Sequence, residues 1–454
     1  MKAPFSKLKN PHDIAGDQPV LKSLMSLAAP AILSGFFIMG FELVDMFWVG
    51  RLGPRPVAAL SAATFFIWLL RALADTVATG AIALVSRRTG EGGGDRLIHT
   101  VAHALTAAVL FTLLTWLAAV PLLSRIFEWI PLEKEIAGMA RQYAGIFLAG
   151  LLFVYMMTTA ERVIRGMGDT KSPMRIIGFS LLLNAVLDPV FIFILRMGLA
   201  GAAYATLLAH IIGCLCMMWQ VFLICPEAKK RPVTFNFDFL RCEFLPIVRI
   251  GGPLALSGVG FAVIYLFLSG IISHFGSAPL AAVGIGHRIE ALPFFLTLGF
   301  SMEVSAWVGQ NLGAGKPERA EAGVRLSLML VSSALIIISA MFFFFADGIF
   351  RIFIRDDSVI RHGVQYLRAI AVFEVFLGFE VVLEGAFAGA GDTKPPMWIA
   401  FPLTFLRIPL SYFLGIHLGW GVQAVWWMIS VTTFLKGLMM WIWFRRGKWK
   451  EKRV

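Results

Sequence analysis

The sequence predicts an all-α membrane protein with twelve transmembrane helices, arranged as two six-helix bundles related by a parallel internal repeat. Three observations predict this fold class. Hydrophobic residues make up 58% of the 454 residues, charged residues make up 15%, and the mean hydropathy of +0.78 lies outside the range of soluble globular proteins. Apolar runs near the roughly 20 residues needed to cross a bilayer occur about twelve times. The stretches GMGDTKSPM (166–174) and GAGDTKPPM (389–397) recur at an offset of 223 residues.

Short loops that hold most of the Lys, Arg, Gly and Pro residues separate the apolar runs. Each run is long enough to cross the hydrocarbon core of a bilayer as a helix. We expect transmembrane helices near residues 23–50, 57–86, 97–124, 136–163, 173–195, 199–225, 246–274, 280–309, 320–346, 362–386, 396–416 and 420–444.

The distribution of Lys and Arg predicts the orientation of the chain. A net charge of +12 could suggest a nucleic-acid partner, but in a membrane protein the placement of cations among the loops is more informative. Both ends and the even-numbered loops are basic, whereas the odd-numbered loops carry fewer cations, with the ninth loop (Arg351, Arg355, Arg361) as the exception. By the positive-inside rule, we expect both termini in the cytoplasm and a multi-pass protein of the cell (inner) membrane, surrounded by lipid and without a nucleic-acid partner.

Sliding the sequence by 223 residues aligns it with itself without a gap from about residue 29 to residue 174. The matches fall mostly on Gly and Pro positions, where backbone geometry is constrained. Each copy holds six spans, so the halves are parallel and related by a pseudo-two-fold axis along the membrane normal, as in carriers that rock one half against the other. The expected organisation is a cytoplasmic N-terminal segment (1–22), a first lobe (23–225), a cytoplasmic linker (226–245), a second lobe (246–444) and a basic cytoplasmic tail (445–454).

Polar residues that differ between the copies are candidates for function. Asp45 lies within the first span and aligns with the apolar Leu268, while Asn184 and Asp188 lie one helical turn apart in the fifth span. An ionisable residue at bilayer depth costs roughly 2.5–3.5 kcal/mol, so we expect these three side chains to meet and to hold a coupling ion. The carboxylates could share a proton, or the three residues could be ligands of Na⁺. The alternative is that each Asp lies at a helix end near the headgroups.

Acidic and aromatic residues are candidates for a substrate cavity between the lobes. Arg288 and Glu290 lie in the eighth span and Glu380 lies in the tenth, at expected membrane depth. The 40 Phe and 19 Met residues suit adaptable binding of flat, apolar molecules, and Phe41 lies one turn from Asp45. We expect these four side chains to line the cavity, with core packing as the alternative.

Motifs of ATP-driven and hydrolytic enzymes are absent from the sequence. The stretch GQNLGAGKP (309–317) does not match G-x-x-x-x-G-K-[ST], and neither H-E-x-x-H nor G-x-S-x-G occurs. We therefore expect that the protein is not an enzyme, uses no cofactor and draws on an H⁺ or Na⁺ gradient.

Several motifs resemble the multidrug and toxic compound extrusion (MATE) family, over about residues 20–444. They are Pro30 and Asp45 in the first span, GQNLGAGKPERA (309–320), the paired GDTK loops and NAVLDP (184–189). The resemblance implies two six-helix lobes that export cationic or amphiphilic organic compounds in exchange for H⁺ or Na⁺.

The polar residues of the first lobe are similar to those of the DinF-type and archaeal branch of that family. In that branch the corresponding positions are implicated in cation binding together with those matching Tyr143 and Thr206, and a proline matching Pro30 bends the first helix. The NorM-type and eukaryotic branch instead has a glutamate in the seventh span. Residues 251–274 contain no acid, so the resemblance does not support a second cation site of that kind.

Two other functions remain open from the sequence. A lipid-linked oligosaccharide flippase of the wider superfamily would need several arginines for pyrophosphate, and Arg71, Arg288 and Arg407 are the candidates. A non-transporting membrane receptor or scaffold would show no gradient-dependent flux in liposomes. The duplication and the unmatched acids favour a carrier, which we expect to act as a monomer.

Overall fold

The computed structural model describes residues 19–129, 133–230 and 239–452. Within these ranges the chain is mainly helical and contains no β-strand, so the prediction of an all-α fold is confirmed. Most of the expected N-terminal segment (1–22), residues 231–238 of the linker and the last two residues of the tail lie outside the described residues.

Among the described residues, the first copy of the repeat forms seven helices. Glycine at position 150 separates α4 from α5, and a wide (π) turn over Val190–Ile194 extends α6. The helices are α1 (Val20–Gly50), α2 (Pro54–Gly90), α3 (Asp95–Trp129), α4 (Lys134–Ala149), α5 (Leu151–Gly166), α6 (Lys171–Pro189) and α7 (Gly198–Ile224).

The second copy follows a 3₁₀ turn over Pro226–Lys230 and a wide turn over Leu240–Phe244. A further wide turn, Phe413–His417, extends α15, and a 3₁₀ turn, Lys448–Glu451, follows α16. The helices are α8 (Leu245–Ser273), α9 (Ser277–Gly313), α10 (Pro317–Phe344), α11 (Ala346–Phe353), α12 (Asp357–Ala371), α13 (Glu374–Ala390), α14 (Lys394–Phe405), α15 (Arg407–Tyr412) and α16 (Gln423–Arg445).

Helices occupy all twelve expected transmembrane positions. In the described part of the chain, ten helical segments are long and apolar enough to cross a membrane, and α4 with α5, bent by 55°, would make an eleventh. The expected span 362–386 falls on α12 and α13, which are interrupted at Val372 and Phe373. The interruption divides this span into two shorter helices.

Backbone features repeat at the same offset as the sequence. Gly53 and Gly276 have φ angles of 112° and 109°, a left-handed region that favours glycine, and each directly precedes a helix, α2 or α9. The wide turns Val190–Ile194 and Phe413–His417 are also equivalent in the repeat, although only the first follows a proline. The duplication is therefore visible in backbone geometry as well as in residue identity.

Each lobe begins with a helix that contains a proline in its N-terminal half, Pro30 in α1 and Pro253 in α8. The hydroxyl groups of Ser34 and Ser257 donate to the carbonyl oxygens of Pro30 and Pro253, at 2.9 Å and 3.1 Å. A proline within a helix has no N–H to donate and so removes one hydrogen bond of the ladder. Both helices run through this position without interruption, although each lacks one backbone hydrogen bond there.

The first turns of α1 and α8 pack into the opposite lobe. Leu24 and Leu27 belong to a buried cluster with Val304 of the second lobe. By the same symmetry, Ile247 and Ile250 belong to the main buried cluster of the first lobe. The two lobes, taken as residues 23–225 and 246–444, thus exchange the beginnings of their first helices.

The backbones of α2 and α8 touch where the lobes cross. A Cβ atom on Gly80 would overlap the carbonyl of Ile247, and one on Gly251 would overlap the carbonyl of Thr76. Only glycine permits such an approach. The two lobes are therefore closed against each other on the side from which α1 and α8 begin.

The tail folds back against the same side of the molecule. The Trp449 ring is buried and stacks on Phe444 at 4.9 Å, and its indole N–H donates to the Phe444 carbonyl at 3.0 Å. Lys450 forms an ion pair with Glu321 near the start of α10. The tail is thus packed into the second lobe.

The last described residue of the tail joins the two lobes. Lys452 donates from Nζ to Asp392 of the second GDTK loop at 3.1 Å, and its carbonyl accepts from Arg87 of α2 at 3.0 Å. In the first GDTK loop, Asp169 instead accepts from the backbone N–H of Ser172 at 3.0 Å and caps the start of α6. The two copies of one motif have therefore acquired different contacts.

Candidate functional site

Four helices of the first lobe bring five buried polar side chains to one place. Asp45 projects from α1, Tyr143 from α4, Asn184 and Asp188 from α6, and Thr206 from α7. The spacing of four residues places the two side chains of α6 on the same helical face. These are the five residues that the sequence and the family resemblance named for ion coupling.

Asp45 is at the centre of this cluster. Its Oδ2 atom accepts a hydrogen bond from the Tyr143 hydroxyl at 2.9 Å. The Thr206 hydroxyl lies 3.2 Å from Oδ1 and 3.1 Å from Oδ2, so its single hydrogen can be donated to either oxygen. The Asn184 amide nitrogen lies 3.2 Å from both Asp188 Oδ1 and Thr206 Oγ1 and connects the two acids.

Two oxygen atoms of the cluster have no hydrogen-bond partner among the described residues. They are Asn184 Oδ1 and Asp188 Oδ2, both buried. Within the described ranges, no Lys or Arg forms an ion pair with Asp45 or Asp188. Buried acids without a counterion favour the uptake of positive charge, and a set of oxygen donors suits either a shared proton or a small hard cation such as Na⁺.

The backbone beside Asp188 is also unusual. Pro189 cannot donate to the carbonyl of Ala185 one turn earlier, and the wide turn Val190–Ile194 follows at once. Wide turns of this kind occur frequently at functional sites. The irregular backbone ends the regular part of α6 directly at the cluster.

His210 lies next to the cluster and was not identified from the sequence. Its Nδ1 atom is 2.8 Å from the Thr206 carbonyl, so this nitrogen carries the proton and donates. The Phe41 ring lies 5.3 Å from the His210 ring. His210 follows Thr206 by four residues, a spacing that places both on one face of α7. This signal could not be used from the residues alone, because only the family resemblance indicated Thr206.

The equivalent place in the second lobe has different chemistry. The tyrosine is kept as Tyr366, but Leu268 replaces the first acid and Arg407 replaces the amide. The buried Arg407 guanidinium is held within its own lobe by hydrogen bonds to Thr432 Oγ1 (2.7 Å), Tyr265 OH (3.0 Å), Thr433 Oγ1 (3.1 Å) and the Ile429 carbonyl (3.3 Å). The second lobe therefore has the positively charged Arg407 side chain at the position where the first lobe has the amide of Asn184 beside two acids.

The four residues expected to line a substrate cavity are divided between the two lobes. Phe41 is buried in the core of the first lobe, whereas Glu290, Glu380 and Arg288 belong to α9 and α13 of the second lobe. Glu380 forms an ion pair with Lys436 of α16 at 2.6 Å. Glu290 is half-buried, its Oε1 atom has no partner among the described residues, and Arg288 is exposed.

A buried ion cluster joins the two lobes. Arg165 of α5 donates to Glu161 on its own helix and to Glu303 of α9, both at 2.9 Å. Gln310 of α9 also donates across the interface, to the Gly166 carbonyl at 2.8 Å. Sequence reasoning did not identify this cluster, because the pairing partners are 138 residues apart.

Comparison with known proteins connects this architecture to a family. A model of the MatE family matches residues 30–190 and 253–413, two segments related by the offset of the internal repeat. The chain is 25% identical over 444 residues to a probable multidrug resistance protein NorM of Thermotoga maritima, covering 96% of this chain and 94% of the relative. It is 24% identical over 426 residues to an FAD transporter of Shewanella oneidensis, covering 92% and 93%.

The fold also matches solved structures. A MOP superfamily transporter from Pyrococcus furiosus superimposes with a TM-score of 0.87 at 22% identity, covering 98% of this chain and 99% of the other. The family model extends over both lobes and includes the helices that carry Asp45, Tyr143, Asn184 and Asp188. The chain therefore belongs to the MATE family, and it is a multi-pass membrane transporter rather than an enzyme.

Proposed function

We propose that the protein exports cationic or amphiphilic organic compounds across the cell (inner) membrane in exchange for H⁺ or Na⁺ bound at Asp45, Asn184, Asp188, Tyr143 and Thr206. The observation that supports this most is the pair of buried acids without an ion-pairing cation among the described residues, beside two unpartnered oxygen atoms. Such a site gains stability when it takes up one positive charge.

Charge balance favours exchange over simple export. Moving one uncompensated cation outward against the membrane potential costs roughly 2.3 kcal/mol per 100 mV. Taking in one H⁺ or Na⁺ for each monovalent organic cation released moves no net charge. A relative named as a probable multidrug resistance protein supports small organic substrates of this kind.

The second lobe supports a single coupling site. Arg407 already supplies a positive charge at the position that the repeat relates to Asn184, and it is hydrogen-bonded on several sides. A second cation would meet like-charge repulsion there. We therefore propose that coupling is confined to the first lobe, which agrees with placing the protein in the DinF-type and archaeal branch.

Closure on the side of the termini supports alternating access. The crossed beginnings of α1 and α8 and the Arg165 cluster seal the lobes there. If the termini are cytoplasmic, as the basic loops indicate, this state is closed to the cytoplasm. A protonated Asp45 would keep fewer acceptor sites for Tyr143 and Thr206, and α1 would be freer to bend at Pro30 and release substrate.

Geometry argues against the flippase alternative. The hydrogen-bond donors of Arg407 are directed at its own lobe, and Arg71 lies in the other lobe, with its guanidinium 5.9 Å from the Phe147 ring centre. Both lobes of the transport path belong to one chain, which supports a monomer.

The test is dye efflux from proteoliposomes under separately imposed pH and Na⁺ gradients. We expect ethidium-like dyes to be exported with one of the two gradients, and Asp45→Asn to remove gradient-dependent export while the protein remains folded. Glu42→Gln is the matched control, since Glu42 is an exposed acid on the same helix that accepts a hydrogen bond from Trp68 and lies outside the cluster. Unchanged export by folded Asp45→Asn would refute the proposed mechanism.

A further inference from the structure

A groove lies on the outer surface of the second lobe, where α10, α12 and α16 meet. Its volume is about 220 Å³. Phe343, Val372 and Trp427 are large apolar side chains in its wall and are each more than 40% exposed. The other lining residues are Gln365, Arg368, Ala369, Gln423 and Trp426.

The groove is at the end of the bundle opposite the termini. Phe343 is the penultimate residue of α10. The opposite end of α10 contacts the tail through Glu321. Gln423 is the first residue of α16, whose far end leads into the tail. Exposed Trp420 and Trp427 lie at the same level, and tryptophan is enriched at the headgroup level of membranes. The groove therefore lies near the headgroups of the leaflet opposite the termini.

Arg368 gives this groove a positive charge. Its side chain is exposed, its Nε atom donates to the Phe343 carbonyl at 3.2 Å, and its guanidinium lies 5.9 Å from the Phe343 ring centre. No carboxylate forms an ion pair with it within the described ranges. Arg351, at the same end of the lobe, is by contrast paired with Asp347 at 2.7 Å.

The other polar groups of the groove are able to donate hydrogen bonds. Gln365 and Gln423 have side-chain amides, and neither amide forms a hydrogen bond with a described residue. Trp426 is fully buried, and its indole N–H has no acceptor among the described residues. An unneutralised guanidinium with N–H groups around it is the chemistry that binds an anionic oxygen group such as phosphate.

A second recess adjoins the groove along α16. It has a volume of about 420 Å³ and is lined by Trp420, Gln423, Ala424, Trp427 and Met428, so it shares two residues with the groove. Its lining is mostly apolar, and the side chains of Trp420 and Trp427 are exposed there. An acyl chain attached to a phosphate at Arg368 would find an apolar surface here.

We propose that this groove is a binding site for an anionic phospholipid of the leaflet opposite the termini, with the lipid phosphate at Arg368 and an acyl chain in the recess along α16. The positive charge disfavours the organic cations proposed as substrates. The outward, membrane-facing position favours a lipid over a free phosphate ion. Within the site, Arg368 lies one turn before the interruption at Val372 and Phe373, and Ser430 of α16 donates to the carbonyl of the neighbouring Ala369 at 2.5 Å.

The test is native mass spectrometry of the full-length protein titrated with dioleoylphosphatidylglycerol. We expect one phospholipid to be retained by the parent, and Arg368→Gln to bind it at least tenfold more weakly. Arg361→Gln is the matched control, since Arg361 is an exposed arginine two turns earlier on α12 and should leave the affinity unchanged. Gln423→Leu, at the opposite wall, should weaken binding by a smaller factor.

Two further probes identify the chemistry of the ligand. Dioleoylglycerol, with the same chains and no phosphate, should bind the parent and Arg368→Gln equally. Glycerol 3-phosphate, with no chains, should not protect the parent against thermal unfolding. Equal phospholipid affinity of the parent and a folded Arg368→Gln would overturn the proposal. So would protection by glycerol 3-phosphate, because it would indicate a site for soluble anions.

Discussion

The Tyr143 hydroxyl donates to Asp45 Oδ2 at 2.9 Å and so links α4 to α1 across 98 positions of the chain. Asp45 belongs to the proposed ion site and lies on α1, the helix that also contains Pro30. A change in this hydrogen bond therefore acts on the part of the first lobe that is proposed to move.

Tyr143→Phe should impair both stability and transport. It leaves one oxygen of a buried acid without its donor, and such a loss costs roughly 1–3 kcal/mol. We expect a lower half-unfolding temperature and slower gradient-driven dye efflux. Tyr412→Phe is the control from the other lobe, because Tyr412 is 57% exposed and its hydroxyl forms no hydrogen bond with a described residue. Equal losses in the two variants would mean that the Asp45 contact has no special role.

Arg165→Gln should strongly destabilise the contact between the lobes. It leaves Glu161 and Glu303 buried without their cation, and breaking a buried ion pair in this way costs roughly 3–5 kcal/mol. Arg165→Gln combined with Glu303→Gln should cost less than the sum of the two single changes, which a double-mutant cycle of thermal unfolding measures. The exposed pair Arg351 and Asp347 should show no measurable coupling. Additive costs at Arg165 and Glu303 would contradict a direct interaction.

Gly251→Ala should force α2 and α8 apart. The added methyl group would overlap the carbonyl of Thr76, which is backbone and cannot rotate away. We expect lower thermal stability and faster hydrogen exchange in residues 74–80. Gly252→Ala is a neighbouring control with nothing within 4 Å of the new methyl group, and helix propensity would stabilise it by up to about 1 kcal/mol. Similar behaviour of the two variants would show that the lobes are not closed through this contact.

Trp449→Ala should release the tail from the second lobe. Its ring is buried against Phe444, whereas the side chain of Lys452 is 43% exposed and its ion pair is expected to contribute only about 0–1 kcal/mol. We expect residues 446–452 to become sensitive to protease in Trp449→Ala but to stay largely protected in Lys452→Ala. The reverse order would indicate that the ion pair holds the tail.

The acids of the first lobe could be predicted because the repeat allows each position to be compared with its equivalent in the other half. Asp45 faces Leu268 in the alignment, and the one-turn spacing of Asn184 and Asp188 is sufficient to place them together on a helix. Tyr143 and Thr206 have no such local signal, and only the family resemblance indicated them. The partner of Glu380 could not be predicted, because Lys436 is 56 residues away and its position depends on how α13 packs against α16.

The packing of the first turns of α1 and α8 into the opposite lobes could not be predicted from the sequence either. Chain order assigns Leu24 to the first lobe, and nothing in its hydrophobic pattern distinguishes one apolar environment from another. The close approach at Gly251 had a weak signal, a Gly-Gly pair within a helix, but its contact partner is set by tertiary packing. The interruption between α12 and α13 was likewise hidden within one apolar run.

The wide turns Val190–Ile194 and Phe413–His417 differ in sequence and occupy equivalent positions. Both halves have this wide turn, although only the first has a proline before it. We therefore infer that the turn was present in the half-length chain before duplication. Two such chains would have assembled as a symmetric homodimer and exchanged the ends of their first helices, as the halves do now. Because both halves now belong to one polypeptide, equivalent positions can hold different residues, and Asp45 in the first half corresponds to Leu268 in the second.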